Sequence, residues 1–275
     1  MDVSPLTASL SLPRILATDL DGTFLPLDGD SDNHRDLPIL NQLLADRDMD
    51  LVFVTGRHLE SACDLFQSGK LPRPKWIICD VGTSIVSVDA NGDCSPIGGY
   101  ADFLRQIIHP LPIATLRDHL STIDGLRLQE PFKQGPFKLS FYVDQPQLQR
   151  LTTEVQSLLH KRAAPYTMIA SVDPFNGDGL IDLLPENTSK ASALDWWAHA
   201  YNHARDSIVF SGDSGNDFAA LTAGFRSIIV GNADPSLVNR VAAVHDNQGW
   251  ADRLYIAKQK ATSGVLEGVQ RYLKP

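Results

Sequence analysis

A series of short, unbroken apolar runs constrains this chain more than any other feature. Ile15-Leu16-Ala17, Leu51-Val52-Phe53-Val54, Trp76-Ile77-Ile78-Cys79, Ile208-Val209-Phe210 and Ser227-Ile228-Ile229-Val230 have strand length without polar alternation. A strand of that kind is buried on both faces, as in parallel sheets covered by helices on either side. Helical spacing fills the gaps. Leu37, Leu40, Leu43 and Leu44 form one apolar face, and Leu59, Ala62, Cys63 and Phe66 form another. Strands and helices alternating through right-handed crossovers give a doubly wound α/β sheet. In such sheets ligands bind beyond the carboxyl ends of the strands.

Polar residues stand at those ends. The first run leads into Asp19-Leu20-Asp21-Gly22-Thr23. A carboxylate there can hold a divalent cation through one oxygen and attack phosphorus with the other. Asp21, two residues on, is expected on the same side, where it could protonate a leaving alkoxide. Alone, an Asp-x-Asp-Gly turn serves equally well as a loop making its own hydrogen bonds. The second run ends in Thr55-Gly56-Arg57, a hydroxyl followed by free amides that can hold a phosphate, with Gly56 permitting close approach. Lys190 follows Thr188-Ser189 at the expected start of a helix, where the helix dipole disfavours a cation unless an anion is near. The fourth run opens into Ser211-Gly212-Asp213-Ser214-Gly215-Asn216-Asp217, an acidic, glycine-rich loop suited to a hard cation with oxygen ligands.

Composition removes several function classes. A net charge of −9, with basic residues scattered, argues against nucleic acid as a main partner. No apolar run approaches the roughly 18–20 residues of a membrane span. Residues 1–13 lack the basic start and long apolar stretch of a signal peptide and read as an N-terminal extension. Cys63, Cys79 and Cys94 form no ligand-type pair and suit reduced thiols in a cytoplasmic protein. His199 and His203, four apart on one helix, lack a third ligand, so a metal role is not assigned to them.

Residues 96–185 differ in character. They interrupt the α/β pattern, which divides the chain into a core of residues 14–95 and 186–275 and an inserted α+β cap with an antiparallel sheet. Phe137, Leu139, Phe141 and Val143 alternate with Lys138, Ser140 and Tyr142. The apolar set should pack on helices such as the one carrying Leu116, Leu120 and Ile123. The polar set faces either water or a cleft above the loops. Asp182, in the otherwise apolar Leu180-Ile181-Asp182-Leu183-Leu184, needs a partner or a ligand.

In order and spacing, Asp19–Thr23, Thr55-Gly56-Arg57, Lys190 and Gly212–Asp217 resemble the four motifs of haloacid dehalogenase-like phosphatases. The resemblance implies a Rossmann-like core, Mg2+ as cofactor and an aspartyl-phosphate intermediate. It makes Asp19 the nucleophile and Asp21 the general acid/base. Thr55, Gly56, Lys190 and Asn216 would surround the phosphoryl group with them. Asp19, the backbone carbonyl of Asp21 and Asp213 would hold the metal, with Asp217 and Asn216 completing and ordering that site. Phe137–Asp144, Asp182-Leu183-Leu184-Pro185, Val81-Gly82-Thr83 and Val230-Gly231-Asn232-Ala233 narrow the resemblance to sucrose-phosphate phosphatases. There the cap is a sugar pocket, which makes Lys138, Ser140 and Asp182 candidate hydroxyl contacts. Tyr142 could stack on a sugar face, and Arg57 would add positive field. Sucrose 6-phosphate is the leading substrate, supplied by a glycosyltransferase. Gly22 departs from the Asn more usual in the sucrose enzymes and agrees with relatives acting on mannosylfructose phosphate, which leaves the sugar open. A phosphomutase, or a silent binding protein that would normally have lost Asp19 or a metal ligand, are the other classes carried forward.

Overall fold

Residues 12–172 and 177–274 are described by a computed structural model. Most of the expected N-terminal extension, residues 1–11, lies outside them. The first half of the core contains β1 (Ile15–Thr18), α1 (Ser31–Asp46), β2 (Asp50–Val54), α2 (Leu59–Gln67), β3 (Trp76–Cys79), β4 (Ser84–Val88) and β5 (Cys94–Pro96). The middle segment holds α3 (Gly98–Ile108), α4 (Ile113–Leu120), β6 (Arg127–Leu128), β7 (Leu139–Val143), α5 (Leu148–Lys161), β8 (Tyr166–Val172) and β9 (Gly179–Pro185). The chain then returns through α6 (Lys190–Ala200), β10 (Ile208–Gly212), α7 (Phe218–Leu221), β11 (Arg226–Ile229), α8 (Pro235–Gln248), β12 (Leu254–Ile256) and α9 (Ala261–Tyr272).

The larger sheet has the order β12-β11-β10-β1-β2-β3-β4-β5, and pairing is parallel from β12 to β3. Successive residues of β1 explain the unbroken apolar runs. Ile15 and Ala17 join a cluster with Leu194, Trp197 and Phe210, while Leu16 joins one with Leu40, Phe53 and Val265. Both faces are dry, so neither can be polar. The parallel sheet expected from sequence is therefore present, extended at one edge by the antiparallel β4 and β5. Those strands gave no sequence signal because serines interrupt β4 and β5 is very short. β5 also brings Cys94 to α2, where its Sγ lies 3.0 Å from that of Cys63, so two thiols read as separate in the sequence are neighbours.

A second, antiparallel sheet, β6-β7-β9-β8, lies wholly within the middle segment. Phe137, Leu139, Phe141 and Val143 pack with Leu116, Leu120, Leu151 and Val155, as the alternation predicts. Lys138 and Ser140 are also buried, at 8% and 0% exposure, so their side of β7 is not a solvated face. The chain crosses between the sheets after Pro96 and after Pro185. The Tyr100 ring lies 4.9 Å from that of Trp196, and its hydroxyl donates to the Gly82 carbonyl at 2.5 Å, so α3 is tied to the core.

Candidate active site

β1 sits where the strand order reverses, with β10 on one side and β2 on the other, which opens a crevice at the carboxyl ends of these strands. Asp19 leaves β1 there, its amide donating to the Ser211 carbonyl of β10 at 2.9 Å. The tight turn that follows is closed by Phe24 N–H to Asp19 O at 3.2 Å and Leu25 N–H to Leu20 O at 2.9 Å. Gly22 adopts φ +76°, and a Cβ at this position would lie 2.5 Å from Asp213 Oδ2. Backbone conformation and space both demand glycine while Asp213 stays where it is.

Lys190 is the hub of the site. Ser189 and Ser192 form a capping box that fixes the start of α6 and aims the Lys190 side chain inward at 1% exposure. Its Nζ donates to Asp19 Oδ1 at 2.6 Å, Asp217 Oδ1 at 2.8 Å and Asn216 Oδ1 at 3.1 Å. Asp217 commits its other oxygen to the loop itself, accepting from the Asp213 and Ser214 amides at 3.2 and 3.1 Å and from Ser214 Oγ at 3.2 Å. Asp213 Oδ1 accepts from Thr23 Oγ1 at 2.9 Å. Asn232 braces the same corner, donating to the Gly22 carbonyl at 2.8 Å and reaching Asp213 Oδ2 at 3.4 Å.

The charges do not balance. Oxygens of Asp19, Asp213 and Asp217 lie within 4.8 Å of one another around a single ammonium. Burial, and then the charge of Asp217, push the Asp19 carboxyl up to about 8. The same two causes push Asp213 up to about 6. Burial opposes the charge on Lys190, yet Asp217 and Asp19 outweigh it and raise its pKa. Surplus negative charge on clustered oxygen donors is what a hard divalent cation relieves, so these residues fit Mg2+.

Asp21, two residues beyond Asp19, is engaged by Arg57. Its carboxylate takes a fork from Arg57, Nε to Oδ2 at 2.7 Å and Nη2 to Oδ1 at 2.6 Å, and is 55% exposed. Arg57, expected at the substrate, is held by this fork and by its Nη1 bond to Ser61 Oγ at 2.9 Å. A guanidinium matches a carboxylate better than anything else nearby. Thr55 is buried at the end of β2, its Oγ1 accepting from the Arg57 amide at 3.1 Å across Gly56.

Above this floor, β7 and β9 present the cap residues. Ser140 lies opposite Asp182 in the ladder and donates to its Oδ1 at 2.5 Å. Lys138 Nζ lies 3.6 Å from Oδ1 of Asp80, a core residue just beyond β3. Tyr142 is held at its hydroxyl, which accepts from Lys133 Nζ at 2.5 Å and donates to Glu130 Oε2 at 3.0 Å. Lys133 also lies over the Tyr142 ring at 5.1 Å. Sequence reading assigned no role to Thr23, Ser214, Asn232 or Asp80. Three of them lie within quoted motifs, and Asp80 directly precedes Val81-Gly82-Thr83.

The sequence model described as sucrose-6F-phosphate phosphohydrolase matches residues 12–273, nearly the whole chain. The chain belongs to this family. It is therefore a phosphoric monoester hydrolase of the haloacid dehalogenase type whose substrate class is sugar phosphates. This sucrose-6F-phosphate phosphohydrolase family member is 31% identical to mannosylfructose-phosphate phosphatase of Agrobacterium fabrum, covering 94% of this chain and 96% of that one. It is 30% identical to a putative HAD-like hydrolase of Nitrosococcus oceani over 94% of this chain and 71% of the other. The sucrose-phosphatase of Synechocystis, solved with sucrose and phosphate, superposes with a TM-score of 0.73 at 24% identity, covering 95% and 98% of the two chains, which shows a shared fold. Among the described residues no helix is long and apolar enough to cross a membrane.

Proposed function

We propose that this protein is a Mg2+-dependent disaccharide-phosphate phosphatase, with sucrose 6-phosphate as the leading substrate and an aspartyl-phosphate intermediate. The observation that carries the reading is the cluster of buried Asp19, Lys190 and Asp217 with half-buried Asp213, beneath a cap whose Lys138 faces Asp80 of the core and whose Ser140 is bonded to Asp182. Mannosylfructose phosphate is the second reading, favoured by the Agrobacterium relative and by the glycine at position 22. In this proposal residues 14–95 and 186–275 are the catalytic core, and residues 96–185 the cap that reads the sugar.

Asp19 and Asp213, with the Asp21 carbonyl, would hold Mg2+, while Asp217, whose oxygens are taken by protein donors, braces the loop from behind. When bound, the metal supplies positive charge that offsets the meeting of two anions. Asp19 attacks phosphorus, and the bond from phosphorus to the sugar oxygen breaks. Lys190, Thr55 and the Gly56 amide hold the phosphoryl oxygens during this transfer, where charge builds. Asp21 leaves its Arg57 fork, takes a proton from solvent and gives it to the departing sugar oxygen, closing the first step. In the second step Asp21 takes a proton from water, the water oxygen attacks phosphorus, and Asp19 is released with inorganic phosphate. The uncatalysed hydrolysis is among the slowest known in biology, so each group contributes to a large combined stabilisation.

The test is phosphate release from sucrose 6-phosphate, mannosylfructose phosphate, trehalose 6-phosphate, glucose 6-phosphate and fructose 6-phosphate with Mg2+, using Asp19→Asn as the blank. A strong preference for one disaccharide phosphate supports the proposal. Flat, slow release across the panel removes the disaccharide pocket, and transfer to a second sugar hydroxyl instead of water makes the protein a mutase.

A further inference from the structure

The turn after β3 is built unlike any other near the site. Asp80, Val81 and Gly82 all adopt left-handed backbone, with φ of +50°, +58° and +94°. Side-chain-bearing residues rarely do so, and two in succession persist only where surrounding contacts impose them. Those contacts are present. The Asp80 amide donates to the Arg57 carbonyl at 2.8 Å and the Val81 amide to the Thr55 carbonyl at 3.3 Å. Thr83 returns to the Asp80 carbonyl through N–H at 3.2 Å and Oγ1 at 3.0 Å. A Cβ on Gly82 would overlap the Ser189 carbonyl. The turn is therefore clamped between the second motif, the start of α6 and the cap.

This clamping fixes the Asp80 side chain in the space between core and cap. Oδ1 is buried and receives no hydrogen bond among the described residues. The nearest cation, Lys138 Nζ, stands 3.6 Å away, too far for a direct hydrogen bond. His58 and Asp182 are the other charged or titratable groups that act on it, one from the head of α2 and one from β9. A buried carboxylate oxygen without a donor is costly, and a paired one normally closes on its ammonium. A single hydroxyl group satisfies both partners at once, donating its proton to Asp80 and accepting from Lys138.

We propose that Asp80 is a sugar-recognition residue contributed by the core, which binds one substrate hydroxyl jointly with Lys138 of the cap. The inference rests on the sugar-phosphate reading above and deepens it. It assigns the discriminating contact to a residue whose turn is bonded to Thr55 and Arg57 of the second motif, as well as to the cap. A polyol with a hydroxyl at this point fits, and an aryl or alkyl phosphate leaves the oxygen bare. Asp80 also suits a left-handed backbone on local grounds, because Asp tolerates it better than most residues. The test must separate these two reasons for its presence.

Asp80→Asn keeps size and backbone tolerance while replacing a carboxylate oxygen with an amide, and Asp80→Gly keeps the backbone and removes the side chain. For each, kcat and KM are measured on the preferred sugar phosphate and on 4-nitrophenyl phosphate, and thermal melting reports folding. The expected result is a fall of about 10–100-fold in the ratio of the two kcat/KM values, chiefly through KM for the sugar, in both variants. Lys138→Met should lower the same ratio, and the double variant should be little worse than either single one, because the two share one hydroxyl. An unchanged ratio, whether both activities fall together or neither moves, overturns the proposal and leaves Asp80 a turn residue. A wild-type protein with no preference for any sugar phosphate overturns the reading beneath it, and this proposal with it.

Discussion

The two ends of the site are built on different principles. At the phosphate end, polar atoms are shared among several partners: Lys190 serves Asp19, Asp217 and Asn216, and Asp217 serves Lys190, Asp213 and Ser214. At the end proposed to take the sugar they come in twos and threes, Ser140 with Asp182, Lys138 facing Asp80, and Tyr142 with Lys133 and Glu130. A network fixes one geometry and penalises loss of its hub heavily, because removing Lys190 leaves buried carboxylates without their cation. A pair can open to admit a hydroxyl and close again. On the proposed function, the chemistry is held rigid where it is common to all substrates, and adaptable where substrates differ.

Four measurements break or sharpen that contrast. Asp19→Asn should reduce turnover of every phosphate ester by on the order of 10^4-fold or more while the fold survives, since it removes the nucleophile and relieves a crowded charge. Residual activity above a few per cent would contradict the role given to it. Lys190→Met should cost both activity and stability. It strands Asp19 and Asp217 in the interior, for about 3–5 kcal/mol, seen as a fall in melting temperature of roughly 10 °C. A variant that melts like the wild type would mean that the network does not carry the load assigned to it.

The third measurement concerns protons and metal. Asp19 and Asp213 are raised to about 8 and about 6, so the metal-free folded protein retains protons that the unfolded chain releases near 4. The stabilising contribution of these groups is complete below about 4 and is lost as pH rises through 6 to 8. Mg2+ must displace the same protons, so its affinity should climb by up to about tenfold per pH unit in this range. Calorimetry in buffers of different ionisation heat would register proton release on binding. An affinity independent of pH would show that the cluster is not where the metal goes. The smallest effects belong to the cap. Asp182→Asn should lower selectivity for the sugar phosphate about tenfold and Ser140→Ala by less, because each loses one hydrogen-bonding group. Tyr142→Phe should matter least, its hydroxyl being already bound to Lys133 and Glu130 at the half-exposed rim.

The same contrast explains what could be read from the sequence. Asp19, Thr55 and Asp213 follow directly from buried strands, and Lys190 opens a helix, so each is placed by local periodicity plus one rule about strand ends. Their partners are not local. Thr23 meets Asp213 across 190 positions, and Asn232 meets Gly22 across 210. Nothing in the composition of either segment announces such a meeting. Asp21 illustrates a subtler gap, for spacing sets where its Cα lies but not whether Arg57 captures its carboxylate. In the cap, alternation gave the faces of β7 correctly. It could not tell a solvated face from one pressed toward the core, since Lys138 and Ser140 look equally suited to water.

Asn232 has one further consequence. Its amide nitrogen holds the Gly22 carbonyl, and its amide oxygen is held in turn by the Ala261 N–H, at the head of α9, at 2.8 Å. That helix sits flush against the sheet because Gly264 and Gly268 leave no side chain between it and Val230 or Ile228. All four motifs are complete by residue 217, yet the turn that follows Asp19 is latched only once residues 261 to 268 have docked. A ribosome making this chain therefore emits all four motifs before the segment that latches the first of them. Competence on this view waits for the docking of α9, which is made after the cap and most of the sheet.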